Sequence, residues 1–191
     1  MNIFVLDMSP EISAKHMVDK HVVKMPTESM QMLSTNLDYF GIQSPYKPVM
    51  LNHPCTIWAR QSYENHEWLL EHCLALCKEY TARYGKVHAV ENTFNQYWDE
   101  LHQQTLYAHW PTIGLTPFAI AMDDAYRVEQ NKEEDDFSFA IRSYHNYYCY
   151  GKNHIANWKI PEHRPNWFEK KYFKRKKTTN VKRISWPPRR D

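Results

Sequence analysis

The sequence predicts a mainly α-helical fold: a single helical domain with a short N-terminal extended segment and a basic, aromatic C-terminal arm. Apolar residues recur near a period of 3.6 in the long segments, and no series of alternating strands is present. The 191 residues include only four Gly, too few for a dinucleotide-binding fold or a β-sandwich with many tight turns. We expect the helical domain to span residues 1–168 and the arm to span 169–191.

The N-terminal elements follow from apolar runs and from the positions of proline. Residues 3–6 are apolar and form either one strand or an extended arm. Ser9 and Pro10 then suit the N-cap and the first position of a helix. Pro26 should kink or end that helix, and Thr27 can cap a continuation of it.

The rest of the chain also predicts helices. Pro54 opens a helix after a loop over 38–52, and 55–84 is an amphipathic helix with Gly85 just past its end. The later elements are an amphipathic helix over 91–106, an apolar loop over 107–122, an acidic connection over 123–136, a helix over 137–150 and a short aromatic helix around 165–173.

Several classes of protein are excluded by the composition. No apolar run approaches 18 residues, so no membrane span is predicted. The N-terminus has no basic stretch and reaches Asp7 early, so it does not read as a signal peptide, and we expect a cytoplasmic protein. The four Cys contain no C-x-x-C pair, and neither H-E-x-x-H nor a His-Asp dipeptide occurs. Neither a metal site nor a cofactor is predicted.

The charge of the chain is distributed unevenly. Residues 170–190 contain ten Lys or Arg and no acid, leaving 14 basic and 22 acidic residues elsewhere. Basic side chains can hold phosphates while the interleaved Tyr172, Phe173 and Trp186 stack on bases. The alternative is a solvated tail that only aids solubility. The nucleic-acid-binding candidates are Lys170, Lys171, Lys174, Arg175, Lys176 and Lys177.

The first predicted helix carries the densest group of chemically capable side chains. Steps of four place a row of His16, Lys20, Lys24 and Glu28 on one face. Cations suit a sugar-phosphate and a carboxylate suits proton transfer, although a solvated face with ion pairs would look the same. We assign His16 to substrate binding. The catalytic candidates are Lys20, Lys24, Asp19, Glu28 and His21.

Two further clusters supply candidates for substrate binding. One lies at a helix N-terminus, where free N–H groups favour an anion, although His53 would also serve simply as the helix cap. The other lies near position 150, where most of the tyrosines suit a core or its rim. The candidates from both clusters are Asn52, His53, Trp58, Arg60, Tyr147 and Lys152.

Separate motifs resemble the small phage pyrimidine-dimer DNA glycosylases. Residues 14–17 (Ala-Lys-His-Met) and 24–26 (Lys-Met-Pro) resemble the opening helix of that family. Residues 164–168 (Arg-Pro-Asn-Trp-Phe), followed by Tyr172, resemble its C-terminal end, and 83–85 (Arg-Tyr-Gly) a turn after its long middle helix. The string over 19–24 also looks like one found in uncharacterised small phage proteins.

The resemblance implies a helical enzyme that cuts a glycosidic bond in damaged duplex DNA. In that family an amine attacks C1′ of the nucleoside, the resulting imine can break the strand by β-elimination, and a Glu on an early helix assists. The family's nucleophile is a small residue exposed by removal of the initiator Met, and position 2 here is Asn. Two kinds of amine therefore stay open: the Met1 α-amine, or Lys20 or Lys24. Glu28 or Asp19 could supply the carboxylate.

The working hypothesis is an enzyme acting on DNA in a phage-infected cell, an N-glycosylase with an associated lyase step. One alternative is a non-catalytic phage protein that binds nucleic acid or inhibits a host enzyme. Another is a protein whose pocket captures a free nucleotide. Affinity that depends on the arm and on salt would favour the non-catalytic binder, whereas nucleotide binding without the arm would favour the pocket.

Overall fold

The computed structural model describes residues 1–102 and 110–171 and confirms the mainly α class. Within these ranges there is no strand. The seven helices described are α1 Pro10–His16, α2 Asp19–Tyr39, α3 Pro54–Ala59, α4 Tyr63–Tyr84, α5 Ala89–Gln96, α6 Trp98–His102 and α7 Asp136–Gly151. None of them is both long and apolar enough to cross a bilayer.

The first predicted helix is interrupted between α1 and α2. Ser9 caps α1 and Pro10 begins it, as predicted, but the backbone is extended at Met17 and Val18. The guanidinium of Arg83 donates to the carbonyls of Lys15 and Met17, each at 2.8 Å, so the end of α1 is satisfied from outside the helix. Pro26 is expected either to kink or to end the helix. It lies inside α2, so it does not end the helix.

The helix predicted over 55–84 is two helices. His53 and Pro54 open α3 as expected, and Gly85 ends α4 in the left-handed conformation with φ of 66°. Between them, the Ser62 hydroxyl accepts a hydrogen bond from the Asn65 N–H at 3.1 Å and starts a new helix. The prediction of a single long helix is therefore wrong at positions 60–62.

The later elements agree in part. The helix over 91–106 is divided at Tyr97 into α5 and α6 as far as it is described, and α7 confirms the helix over 137–150. Residues 110–136 hold no α-helix up to Asp136, as the predicted loop and connection require. The prediction of an aromatic helix around 165–173 is wrong over its described part, which is not helical. Trp167 instead stacks on His145 of α7, with ring centroids 3.7 Å apart.

The N-terminal segment runs through the interior in an extended conformation. Ile3, Val5 and Leu6 are fully buried. The N–H of Leu6 donates to the Ser13 hydroxyl at 3.0 Å, and its carbonyl lies 2.9 Å from the His145 ring. Of the two predicted alternatives, the extended arm is confirmed. This path places the start of the chain beside α2 and α7, where the candidate site lies.

Candidate active site

A cavity of about 280 Å³ lies where the N-terminal segment meets α2 and α7. Grooves of similar volume occur elsewhere, including one between α1 and α4, but they do not combine an amine, a carboxylate and an imidazole. The residues lining the cavity are Met1, Asn2, Phe4, His21, Lys24, Met25, Glu28, Ala121, Tyr147 and Lys152.

Glu28 is the carboxylate at the centre of this cavity. Its Oε2 atom lies 3.8 Å from the Met1 α-amine and accepts a hydrogen bond from the Asn2 N–H at 3.1 Å. Its Oε1 atom pairs with the Lys24 ammonium at 2.8 Å. The side chains of Met1 and Glu28 are only 4% and 12% exposed, whereas that of Lys24 is 71% exposed. One largely buried carboxylate thus meets the α-amine of Met1 and an exposed lysine ammonium.

Asn2 holds the first four residues in place. Its side-chain amide donates to the Ala121 carbonyl at 2.5 Å, and its Oδ1 accepts the Phe4 N–H at 2.9 Å. Phe4 has a φ of +44°, a conformation that costs a non-glycine residue on the order of 1 kcal/mol or more. The hydrogen bonds of Asn2 stabilise this turn and so fix the position of the α-amine.

His21 forms the inner wall beside Phe4. The two rings stack with centroids 4.3 Å apart, and His21 Nδ1 lies 2.6 Å from the Tyr148 hydroxyl. Burial, together with the positive charges of Lys152 and Lys24, lowers the pKa of His21 to about 3. The imidazole is therefore neutral at neutral pH.

Tyr147 and Lys152, at the C-terminal end of α7, also line the cavity. The Lys152 ammonium lies 4.9 Å from the centroid of the Tyr147 ring and 5.5 Å from that of Phe4. Cation–π contacts of this kind position the ammonium over the aromatic wall. Lys152 and Lys24 give the cavity two cations, as an anionic sugar-phosphate would need.

His53 lies next to the cavity and caps α3, as one of the two predicted roles requires. Its Nδ1 accepts the Cys55 N–H at 3.2 Å. Burial and the positive charge of the Met1 amine lower the pKa of His53, while the negative charge of Glu28 raises it. The His53 imidazole is therefore close enough to both groups to interact with them electrostatically. Its neighbour Asn52 is exposed and is not among the lining residues.

The predicted row of four on the first helix does not stay together. The break between α1 and α2 separates His16 from the residues that follow, and His16 lies against Trp167 with ring centroids 6.1 Å apart. Lys20 is exposed on α2 and does not line the cavity. Lys24 and Glu28 are the two members of the row that meet there.

Three other predicted residues have structural partners elsewhere. Asp19 pairs with the Arg83 guanidinium at 2.9 Å, away from the cavity lining. Trp58 is in the core, where its indole N–H donates to the Thr116 carbonyl at 3.2 Å. Arg60 lies over the Tyr39 ring and donates to the Leu51 carbonyl.

The basic arm is described only at its root. Lys170 and Lys171 are exposed, and the Lys171 N–H donates to the Cys149 carbonyl at 2.9 Å. The Asn153 side chain also donates to the Lys171 carbonyl, so Lys171 lies against the residues that follow α7, close to Lys152 in the chain. The other arm candidates, Lys174, Arg175, Lys176 and Lys177, lie outside the described residues, as do Tyr172, Phe173 and Trp186.

The sequence pattern assigns no role to Asn2 and Phe4, and it places Tyr148 among tyrosines that suit a core or its rim. An extended segment shows no helical periodicity, so nothing in its pattern marks these side chains as lining a site. Within the described ranges, no group of three or more His, Cys, Asp or Glu could hold a metal ion.

Residues 1–92 match the model of a protein family described as pyrimidine dimer DNA glycosylase. The matched segment contains Met1, His21, Lys24 and Glu28, while Tyr147 and Lys152 lie beyond it. No match was found among curated proteins or solved structures. The predicted resemblance to this family is confirmed over the matched residues, and at the family level it supports a DNA glycosylase-like function.

Proposed function

We propose that this protein, whose first 92 residues match the pyrimidine dimer DNA glycosylases, is a DNA N-glycosylase with an N-terminal amine as its nucleophile. One observation carries the proposal: the Glu28 carboxylate is contacted by the Met1 α-amine inside a cavity that also holds two lysines. The amine supplies the nucleophile, the carboxylate a proton acceptor, and the lysines a place for phosphate.

The reaction begins when the neutral amine attacks C1′ of the damaged nucleoside. A bond forms between the amine nitrogen and C1′, and the glycosidic bond breaks with its electron pair leaving on the base. Glu28 accepts the proton that the amine loses. The sugar ring then opens as the C1′–O4′ bond breaks, and O4′ takes the proton back from Glu28, which leaves a protonated imine between the protein and C1′. Loss of a C2′ proton then allows β-elimination of the 3′ phosphate.

The N-terminal amine suits the nucleophile better than Lys24 does. As a class, α-amines have a pKa near 8 and lysines one near 10.4, so an α-amine carries a much larger neutral fraction at neutral pH. Lys24 is also largely exposed, as a phosphate-binding residue at a cavity rim would be. Removal of Met1 would keep the arrangement, because the Asn2 nitrogen already lies 3.1 Å from Glu28.

The other residues of the cavity bind and orient the DNA in this proposal. Lys24 and Lys152 hold the phosphates flanking the target nucleotide, and Tyr147 contacts its sugar or base. His53 adjusts the charge balance between the amine and Glu28. The basic arm starts against the residues that follow α7 and extends the contact along the duplex backbone.

Trapping of the imine tests the proposal directly. Duplexes containing either a cis-syn thymine dimer or an abasic site are incubated with the protein and sodium borohydride, which reduces an imine to a stable amine. We expect a covalent adduct, and mass spectrometry of the digested adduct should place it on the N-terminal amine. Intact mass measured beforehand identifies the residue that bears this amine.

Glu28→Gln should reduce the rate of adduct formation by about 10²-fold or more, because proton transfer by a positioned carboxylate contributes roughly that much. Lys20→Ala is the matched control, since Lys20 is exposed on the same helix and does not line the cavity. An adduct on Lys24 would move the nucleophile to that residue. Absence of any adduct and of any glycosidic-bond cleavage would favour the non-catalytic binder.

A further inference from the structure

The hydrogen bond between His21 and Tyr148 determines which ring nitrogen of His21 carries the proton. Tyr148 is fully buried and its pKa is raised well above the ordinary value by burial, so its hydroxyl stays protonated. In the described part of the chain, the hydroxyl has no hydrogen-bond partner other than His21 Nδ1, at 2.6 Å. The Tyr148 O–H therefore donates to Nδ1, and the neutral imidazole carries its hydrogen on Nε2.

The Nε2 atom is the ring nitrogen available to the cavity. His21 lines the cavity, and no described residue forms a hydrogen bond with its Nε2 atom. The ring plane is fixed by stacking on Phe4, with an interplanar angle of 24°, and by edge contact with Tyr148. A single N–H donor of defined direction therefore faces the space that we assign to the substrate.

We propose that His21 Nε2–H donates a hydrogen bond to a carbonyl oxygen of the departing pyrimidine, and that Tyr148 positions this donor. The inference rests on the proposed glycosylase function and adds a residue that acts on the leaving base. When the glycosidic bond breaks, N1 of the base takes the electron pair, and the negative charge spreads to the adjacent C2 carbonyl oxygen. A fixed donor at that point stabilises the charge as it develops. No proton is transferred, because the imidazole keeps its hydrogen.

Comparison of two reactions isolates this role. Cleavage of the glycosidic bond at a thymine dimer leaves the base joined to its neighbour, so base release is measured after photoreversal of the cyclobutane ring. Cleavage of the glycosidic bond requires a leaving-group donor, whereas strand cleavage at a preformed abasic site does not, since no base is present. His21→Phe keeps a ring against Phe4 but removes the donor. We expect it to slow single-turnover base release by about 10²-fold, the effect of removing one such donor. Abasic-site cleavage and duplex affinity should change by less than about threefold.

His21→Gln is the matched rescue variant, because its side-chain amide can place an N–H close to the position of Nε2. It should recover at least about tenfold of the lost rate of base release. Equal losses in both reactions, or no loss of base release in His21→Phe, would overturn the inference. Failure of the wild-type protein to cleave the abasic duplex would instead reject the proposed function.

Nitrogen NMR of the wild-type protein tests the role of Tyr148 without any variant. The ¹⁵N shifts of His21 should show the Nε2–H tautomer, and a predominant Nδ1–H tautomer would overturn the inference. In Tyr148→Phe the two tautomers should mix. Base release should then slow several-fold at saturating enzyme, with duplex affinity unchanged. Retention of the pure Nε2–H form and of full activity in that variant would exclude Tyr148 as a positioning residue.

Discussion

Asp19 and Arg83 join the break between α1 and α2 to the C-terminal part of the domain. Arg83 is 3% exposed and pairs with both Asp19 and Glu79. Asp19 also accepts hydrogen bonds from the Asn157 side chain and from the Lys159 N–H. These donors belong to residues at least 64 positions away in the sequence. The spacing of residues on α2 can therefore single out Asp19 as an acid, but it cannot identify the partners of that acid.

We expect Asp19→Ala to lower the free energy of unfolding by about 3–5 kcal/mol, because it leaves the buried guanidinium of Arg83 without one of its counter-charges. Urea denaturation followed by circular dichroism measures the change. Asp38→Ala is the control, since Asp38 is exposed on the same helix, and it should change stability by no more than about 0.5 kcal/mol. Similar values for the two variants would contradict a structural role for the Asp19–Arg83 pair.

At the scale of elements, the sequence predicts where helices lie better than where they are interrupted. Ser9, Pro10, Pro54 and Gly85 act through their own backbone and side chain, so local patterns located these ends. The break at Met17 depends on Arg83, which is 66 positions away, and such a contact leaves no local pattern. Pro26 shows the converse, because packing retains a helix at a residue whose intrinsic preference is to end it.

The last turn of α7 couples helix geometry to the cavity wall. A Cβ atom added at Gly151 would lie 2.5 Å from the Tyr147 ring and 3.1 Å from the Tyr126 ring. Gly151→Ala should therefore displace the Tyr147 ring and weaken its contact with Lys152. We expect weaker binding of an abasic duplex by several-fold with little loss of thermal stability, since Ala favours a helix. Fluorescence anisotropy measures the affinity, and an unchanged affinity together with unchanged tyrosine ring shifts would contradict the prediction.

At the scale of the whole molecule, the candidate site is assembled from both ends of the described chain. Lys24 and Glu28 could be predicted from a step of four on one helix, and Lys152 and Tyr147 from the cluster near position 150. Their meeting with the N-terminal amine depends on a buried extended segment that carries no periodic pattern. Local spacing therefore predicts parts of the site, and only tertiary packing combines them.

Buried neutral histidines should make stability depend on pH. Burial is the main cause that lowers the pKa of His21 and His72 to about 3 and that of His66 to about 4. In the unfolded chain these histidines bind protons near pH 6.5, whereas in the folded state they stay neutral until the pH falls to 3–4. Their contribution to the free energy of unfolding is therefore complete above pH 6.5 and is lost as the pH falls toward 3–4. Three such groups give a slope of up to about 4 kcal/mol per pH unit below 6.5.

Urea denaturation at several pH values between 7.5 and 5 measures this slope. His72→Phe is an informative variant, because neither ring nitrogen of His72 has a described hydrogen-bond partner and its ring stacks on Trp68. It should remove about a third of the histidine contribution to the slope. A stability that stays constant from pH 7 to pH 5 would show that these histidines are not held neutral by folding.

The basic arm should control affinity for DNA without controlling chemistry. A chain truncated after Lys171 keeps the hydrogen bonds that anchor the arm and loses the eight Lys and Arg that follow. Each lysine or arginine that neutralises a phosphate contributes about 0.9 to the slope of log affinity against log salt, so the slope should fall by up to about 7. Replacing Tyr172, Phe173 and Trp186 with Ala retains every charge and should weaken single-strand binding while leaving that slope unchanged.

Borohydride trapping on an abasic duplex should persist in the truncated protein at saturating concentration, because the amine and Glu28 remain. If truncation leaves both the affinity and the salt slope unchanged, the arm is a solvated tail, and the DNA contact must be made by the domain that carries Lys24 and Lys152.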